Sequence, residues 1–201
     1  MRHGLWYSWP MRQILIAVIL AISLPALAVA QSVADAPSEK NNSLKPAEQL
    51  DQLFGKLHQT SVDSQSIEKN IWDLWARNPS PTAEVLLAQG TAAMNAHELD
   101  AAEQTLIQLV ESYPDFAEGW NRRATLYFME TRYDASLVDI EHVLALEPRH
   151  FGALAGKGMI LRLQGKTIEA LKTLHEALEM NPHMDSVAQA IKDIEKNDPN
   201  I

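Results

Sequence analysis

Three prolines, Pro114, Pro148 and Pro182, stand 34 residues apart, and the residues before each of them follow one pattern. A chain that repeats itself every 34 residues has room in each unit for two helices and two tight turns, so it stacks hairpins instead of building a closed core. The units are 83–116, 117–150 and 151–184. Small residues recur at the eighth position (Gly90, Ala124, Gly158) and at the twentieth (Ala102, Ser136, Ala170). These mark where the two helices of one hairpin come too close for a larger side chain. Apolar residues recur at the fourth position (Leu86, Trp120, Leu154), the twenty-fourth (Leu106, Ile140, Leu174) and the twenty-seventh (Leu109, Val143, Ala177). They form the faces that stack one hairpin on the next. The terminal proline ends the second helix and turns the chain into the next unit. The predicted fold is all-α, an α–α superhelix.

The residues that carry this period also resemble a known family. In the middle unit Ala117-Glu118-Gly119-Trp120, Ala124, Tyr127, Tyr133-Asp134 and Ala145-Leu146-Glu147-Pro148 fall in the register of a tetratricopeptide repeat. The third unit adds Gly158, Gly165-Lys166, Glu169-Ala170-Leu171 and Asn181-Pro182. One departure is systematic: the seventh position, usually a buried leucine, holds Gln89, Arg123 and Lys157. Their stems are expected to pack while their charged heads reach the edge.

Outside the three units the pattern is weaker. Leu50, Leu53, Phe54 and Leu57, then Ile67, Ile71, Leu74 and Trp75, recur at helical spacing. Counting back from Pro79 places Phe54 and Gly55 at positions seven and eight, so residues 46–79 read as a degenerate hairpin capping the stack. Residues 186–197 read as a solvating helix at the other end, with Val187, Ala190, Ile191 and Ile194 on one side.

The first thirty residues have another character. Arg2 and Arg12 precede an apolar run that breaks at Pro25 and ends in Ala28-Val29-Ala30, the three-part pattern of a secretory signal cleaved before Gln31. The competing expectation is an uncleaved anchor, for which the run is somewhat short. Met11 stands directly before Arg12 as a second possible start. Residues 31–45 are polar and poor in large apolar side chains, and read as a flexible spacer. Removing residues 1–30 takes Arg2 and Arg12 from the 17 basic residues and none of the 26 acidic ones, leaving a charge of −11. Nucleic acid and anionic membrane surfaces are poor partners for such a chain. The whole mature chain resembles exported tetratricopeptide proteins of Gram-negative bacteria, which implies the periplasm.

Chemistry is harder to find. There is no cysteine, and the seven histidines show no metal-binding spacing, so they read as solvated turn and surface residues with no metal and no cofactor. Gly152, Gly156 and Gly158 fall inside a helical pattern, where no phosphate loop forms. No nucleophile or carboxylate pair has a catalytic context. The expectation is a non-catalytic adaptor holding a protein or peptide in a concave groove, in envelope assembly or maintenance. The alternatives are a membrane-anchored scaffold subunit or an enzyme with an unrecognised site.

The resemblance places groove-facing side chains at positions two, five, nine, twelve and thirteen of each first helix. Carried over, the candidate binding residues are Leu87, Thr91, Met94, Asn121, Thr125, Phe128, Met129, Met159, Arg162 and Leu163. Only Asn121 and Arg162 could grip a terminal carboxylate. The methionines and Phe128 instead favour an apolar or amphipathic segment.

Overall fold

The computed structural model describes residues 44–59 and 63–197. The expected signal, residues 1–30, and nearly all of the expected spacer lie outside them. Nine helices and no strands occur among the described residues: α1 (Pro46–Leu57), α2 (Ser64–Trp75), α3 (Pro81–Asn95), α4 (Leu99–Ser112), α5 (Ala117–Met129), α6 (Tyr133–Leu146), α7 (Phe151–Leu163), α8 (Thr167–Met180) and α9 (Asp185–Asn197). None is long and apolar enough to cross a membrane.

The helix starts follow from local chemistry. Pro46 and Pro81 open α1 and α3, where a missing N–H costs nothing. Asp63 caps α2 by accepting from the Ser66 N–H at 3.3 Å. The turn inside each repeat needs one left-handed residue, supplied at equivalent positions by His97 (φ 60°), Thr131 (φ 60°) and Gly165 (φ 74°). Only the last suits that conformation without strain, and β-branched Thr131 suits it least.

The three repeats are the hairpins α3–α4, α5–α6 and α7–α8. Their small residues do what the spacing requires. A Cβ on Gly90 would lie 2.7 Å from Leu106 and one on Gly158 2.6 Å from Leu174, so each leucine occupies the space left by its glycine. In the middle repeat Ser136 sits at the crossing and donates its hydroxyl to the Ala124 carbonyl at 2.8 Å. Between repeats the stacking uses Leu106 and Leu109 of α4 together with Leu126 of α5, and Ile140 and Val143 of α6 with Ile160 of α7. α9 closes the far end, burying Val187, Ala190, Ile191 and Ile194 against Leu171, Leu174 and Ala177.

Two expectations change. The Arg123 head does not reach an open edge. It turns inward and makes a two-pronged pair with Asp139, Nε and Nη2 each donating at 2.8 Å to a carboxylate that is 1% exposed. Trp120 and Tyr127 flank the guanidinium, with its Cζ 5.0 and 5.5 Å from their ring centres. An ion pair between aromatic rings thus fills the place of the family's leucine.

The second change concerns what α1–α2 packs against. A Cβ on Gly55 would meet nothing within 4 Å, so the close helix crossing of the repeats is missing. The hairpin buries Leu50, Phe54, Leu57, Ile67, Ile71 and Trp75 against Phe151, with Met180 and Met184 packed alongside. Instead of capping the first repeat, it reaches across to the third. The aromatic residues explain this: Phe54, Trp72 and Trp75 find Phe151 at ring-centre distances of 6.4, 5.3 and 5.0 Å.

Candidate functional site

The first helices α3, α5 and α7 carry the positions expected on the groove, and the structure sorts those residues into three sets. Leu87 and Met94 are core, 6% and 5% exposed, in the cluster that holds Leu106, Leu109 and Leu126. Thr91 is half-buried, its hydroxyl donated to the Leu87 carbonyl at 2.8 Å. Met129 and Leu163 are exposed, at 44% and 53%, and Arg162 is exposed with them. All three lie at helix ends, and none lines the cleft described next.

Asn121, Thr125, Phe128 and Met159 come together. They line a cleft of about 360 Å³ between the second and third repeats. Its floor and walls are completed by Ala153, Ala155 and Gly156 of α7 and by Ser136 and Ile140 of α6. Met184, Ser186 and Val187 close one end. The part played by the start of α9 was not read from the sequence, where that helix had only a capping role. Its signal would have been Met184, an apolar residue in the turn just before the helix.

The cleft is largely apolar, and three of the polar side chains that line it donate hydrogen bonds within the protein. Thr125 donates to the Asn121 carbonyl at 2.9 Å, Ser136 to that of Ala124, and Asn121 Nδ2 donates to Glu118 at 2.9 Å. Among the described residues no lysine or arginine lines it. What remains is a surface of methyl, methylene, thioether and phenyl groups, suited to apolar side chains of a partner.

Just below the cleft lies a buried polar cluster that sequence reasoning missed. Glu118 and His150 are almost fully buried. The Ala153 N–H donates to His150 Nδ1 at 3.1 Å, which leaves the ring proton on Nε2, facing Glu118 Oε2 at 3.2 Å. Arg122 Nη2 donates to the other carboxylate oxygen at 2.6 Å. Burial pushes the Glu118 carboxyl up, but the His150 hydrogen bond, Arg122 and Asn121 together outweigh it and hold the group below its ordinary range. His150 is therefore a core residue and not a solvated turn histidine. Trp75 stacks on it with ring centres 4.1 Å apart, and Trp72 meets it edge-on at 5.3 Å. A histidine read alone gives no sign of this; the sign was the pair Trp72 and Trp75, whose large apolar surface Phe54 of the same hairpin meets only in part.

Two other histidines sit on the same seam. His58 has the Phe54 carbonyl 2.8 Å from Nδ1 and the Glu179 carbonyl 2.7 Å from Nε2. Only the doubly protonated ring donates to both, and these carbonyls, Phe54 first, raise its pKa. His183 Nε2 lies 2.9 Å from the Leu57 carbonyl. Among the described residues no cluster of histidines and carboxylates converges as a metal site.

Stacked helical hairpins define the described residues as an α-solenoid. The sequence profile of the tetratricopeptide repeat matches residues 87–141. A tetratricopeptide repeat-containing protein of Rhizobium etli is 38% identical over 177 residues, covering 87% of this chain and 85% of its own length. The chain belongs to the tetratricopeptide repeat family.

Solved structures agree on the fold. The first such domain of Spaghetti (RPAP3), bound to an HSP90 peptide SRMEEVD, superposes with a TM-score of 0.55 at 21% identity, covering 57% of this chain and 91% of that one. The TPR2B domain of yeast Sti1, in complex with an Hsp70 peptide, gives 0.55 at 16%, covering 59% and 99%. MamA gives 0.55 at 18%, covering 69% and 85%. The fold is typically that of a non-catalytic protein-interaction scaffold and suggests a protein-binding adaptor.

Proposed function

We propose that this protein is a non-catalytic adaptor that holds an apolar or amphipathic peptide segment in the cleft between its second and third repeats. The observation that supports it is the cleft itself: Phe128 and Met159 line an open apolar hollow in which Asn121, Thr125 and Ser136 donate hydrogen bonds within the protein. Two of the solved structures named above hold peptides, one of them the acidic SRMEEVD. Here the cleft lacks a cation, and the chain without its first thirty residues carries −11, so an acidic peptide is disfavoured and an apolar one preferred. The proposed setting is the periplasm after cleavage before Gln31, in assembly or upkeep of the cell envelope.

The test uses purified mature protein and labelled short peptides, apolar, amphipathic and acidic, read by fluorescence anisotropy. Phe128→Ser with Met159→Ser should abolish capture of the apolar peptides while helical content is kept, because a few buried aromatic and flexible side chains carry most of such an interface. Glu141→Ala and Lys172→Ala, on second helices, should leave it intact. A folded double variant that still captures them moves the binding surface elsewhere. For the setting, intact mass from the periplasmic fraction should begin at Gln31; the full chain in membranes would favour the anchored alternative.

A further inference from the structure

The seam between α1–α2 and the third repeat is built unlike any contact between repeats. Successive repeat helices bring their backbones close together, whereas neither α1 nor α2 approaches a repeat helix in that way. Side chains make the contact. The Trp72 indole lies on Gly152 so closely that a Cβ there would be 2.5 Å from Cη2. Beside it Trp75 stacks on His150, and Arg149 spans the edge, its Cζ 4.7 Å from the Phe54 ring centre and its Nη1 2.7 Å from Asp51. Gly152 also lines the apolar cleft, so this rim continues the groove.

One polar atom of the seam is unpaired: among the described residues the buried Trp75 Nε1 finds no hydrogen-bond partner within the protein. The rim is shaped for an indole on an amphipathic helix.

We infer that the rim of the third repeat, formed by His150, Phe151 and Gly152, is a second recognition surface whose partner is an amphipathic helix carrying an indole, and that α1–α2 is its exchangeable occupant in cis. The tether through residues 76–80 holds α2 at an effective concentration on the order of millimolar. A competing helix gains access only by displacing the hairpin or after it has been weakened. The surface extends the groove beyond the cleft of Phe128 and Met159 and does not depend on what that cleft binds.

The experiment uses the full mature chain and, as probe, a labelled synthetic peptide of residues 44–78. Wild type should bind the probe weakly, and Trp72→Ala with Trp75→Ala should bind it at least tenfold more tightly, since the hairpin in cis then competes poorly. Adding Gly152→Val to that double variant should abolish binding, because the new side chain fills the place of the indole. Phe128→Ser, which tests the apolar cleft, should leave probe binding unchanged. Equal affinity for wild type and the double variant, or indifference to Gly152→Val, would overturn the inference. Hydrogen exchange on the wild-type chain supplies an arm that needs no variant: amides of α1 and α2 should exchange together and faster than those of α4, α5 and α7. Exchange of the hairpin only at the rate of the whole stack would equally overturn it.

Discussion

Restoring the family's usual residue at the seventh position should harm this protein. Arg123→Leu replaces a charged side chain by the leucine common in these repeats, and a propensity or hydrophobicity scale would score it as an improvement. The structure says otherwise. Asp139 is 1% exposed and receives two donors from Arg123 at 2.8 Å, with no other partner among its described contacts. Leucine removes both donors and leaves a buried carboxylate unpaired, which costs about 3–5 kcal/mol. Asp139→Leu alone should cost less, about 1–3 kcal/mol, because Arg123 is 15% exposed and its long stem can carry the head to water. The double change Arg123→Leu/Asp139→Leu should return to within about 1 kcal/mol of wild type, since replacing both ends of a buried pair by apolar groups is often neutral or better. The assay is urea unfolding followed by helical circular dichroism on all four proteins at pH 7. If Arg123→Leu alone stays within 1 kcal/mol of wild type, the pair is not what fills this site, and the account of the seventh position fails.

Ala170 is fully buried where α7 and α8 cross, so Ala170→Leu should overpack and cost about 1–3 kcal/mol, while Arg162→Ala should change the melt little; the reverse ranking would refute the repeat register. Met94→Ala should cost about 2–5 kcal/mol and Met129→Ala almost nothing, a contrast that urea titration resolves and that equal losses would contradict. Thr131→Gly should raise stability by about 0.5–1 kcal/mol by relieving the left-handed turn, against the entropy that glycine adds to the unfolded chain; a lower midpoint would show that Thr131 is not strained. For pH the signs differ. His58 has a raised pKa, so its contribution is full below about pH 6.5 and lost as pH rises through the folded value. Glu118 has a lowered pKa, so its contribution is present above its ordinary 4.5 and lost as pH falls through the folded value. The melting temperature should peak in mildly acidic solution; His58→Ala should flatten the alkaline limb and Glu118→Gln the acid one, and a wild-type curve flat from pH 6 to 8 would rule out the His58 contact.

The repeats were legible because their rules are local and recur. Gly90 and Gly158 announce a close crossing whatever lies around them, and Leu106 and Leu174 duly fill it. Leu126 and Ile160 show the limit of that reading: both are fully buried between repeats at the tenth position, yet the first unit carries Ala92 there and the pattern went unread. The groove was legible in outline, since position alone brought Asn121, Thr125, Phe128 and Met159 to one cleft. Position could not show that Leu87 and Met94 turn into the core, because a helix face has no sharp edge and its neighbours decide which side wins. Where α1–α2 would dock was not legible at all. Periodicity states that a face must be covered but not by what, and the answer lay in Phe151, about 75 residues further along the chain.

That docking changes how the molecule comes to be folded. In a plain stack every contact joins neighbours, so each unit can form as soon as its predecessor exists, in the order of synthesis. Here Leu57 is bonded to His183 across 126 residues of chain. The α1–α2 hairpin must wait for the third repeat, and closing so long a loop has an entropic cost that no early contact offsets. The hairpin should dock after the folding barrier is crossed. Substitutions in its seam should then speed unfolding while leaving the folding rate nearly unchanged. Until α7 and α8 are complete, Trp72 and Trp75 lack the covering of His150 and Phe151, and the unfinished chain is exposed to aggregation at this hairpin.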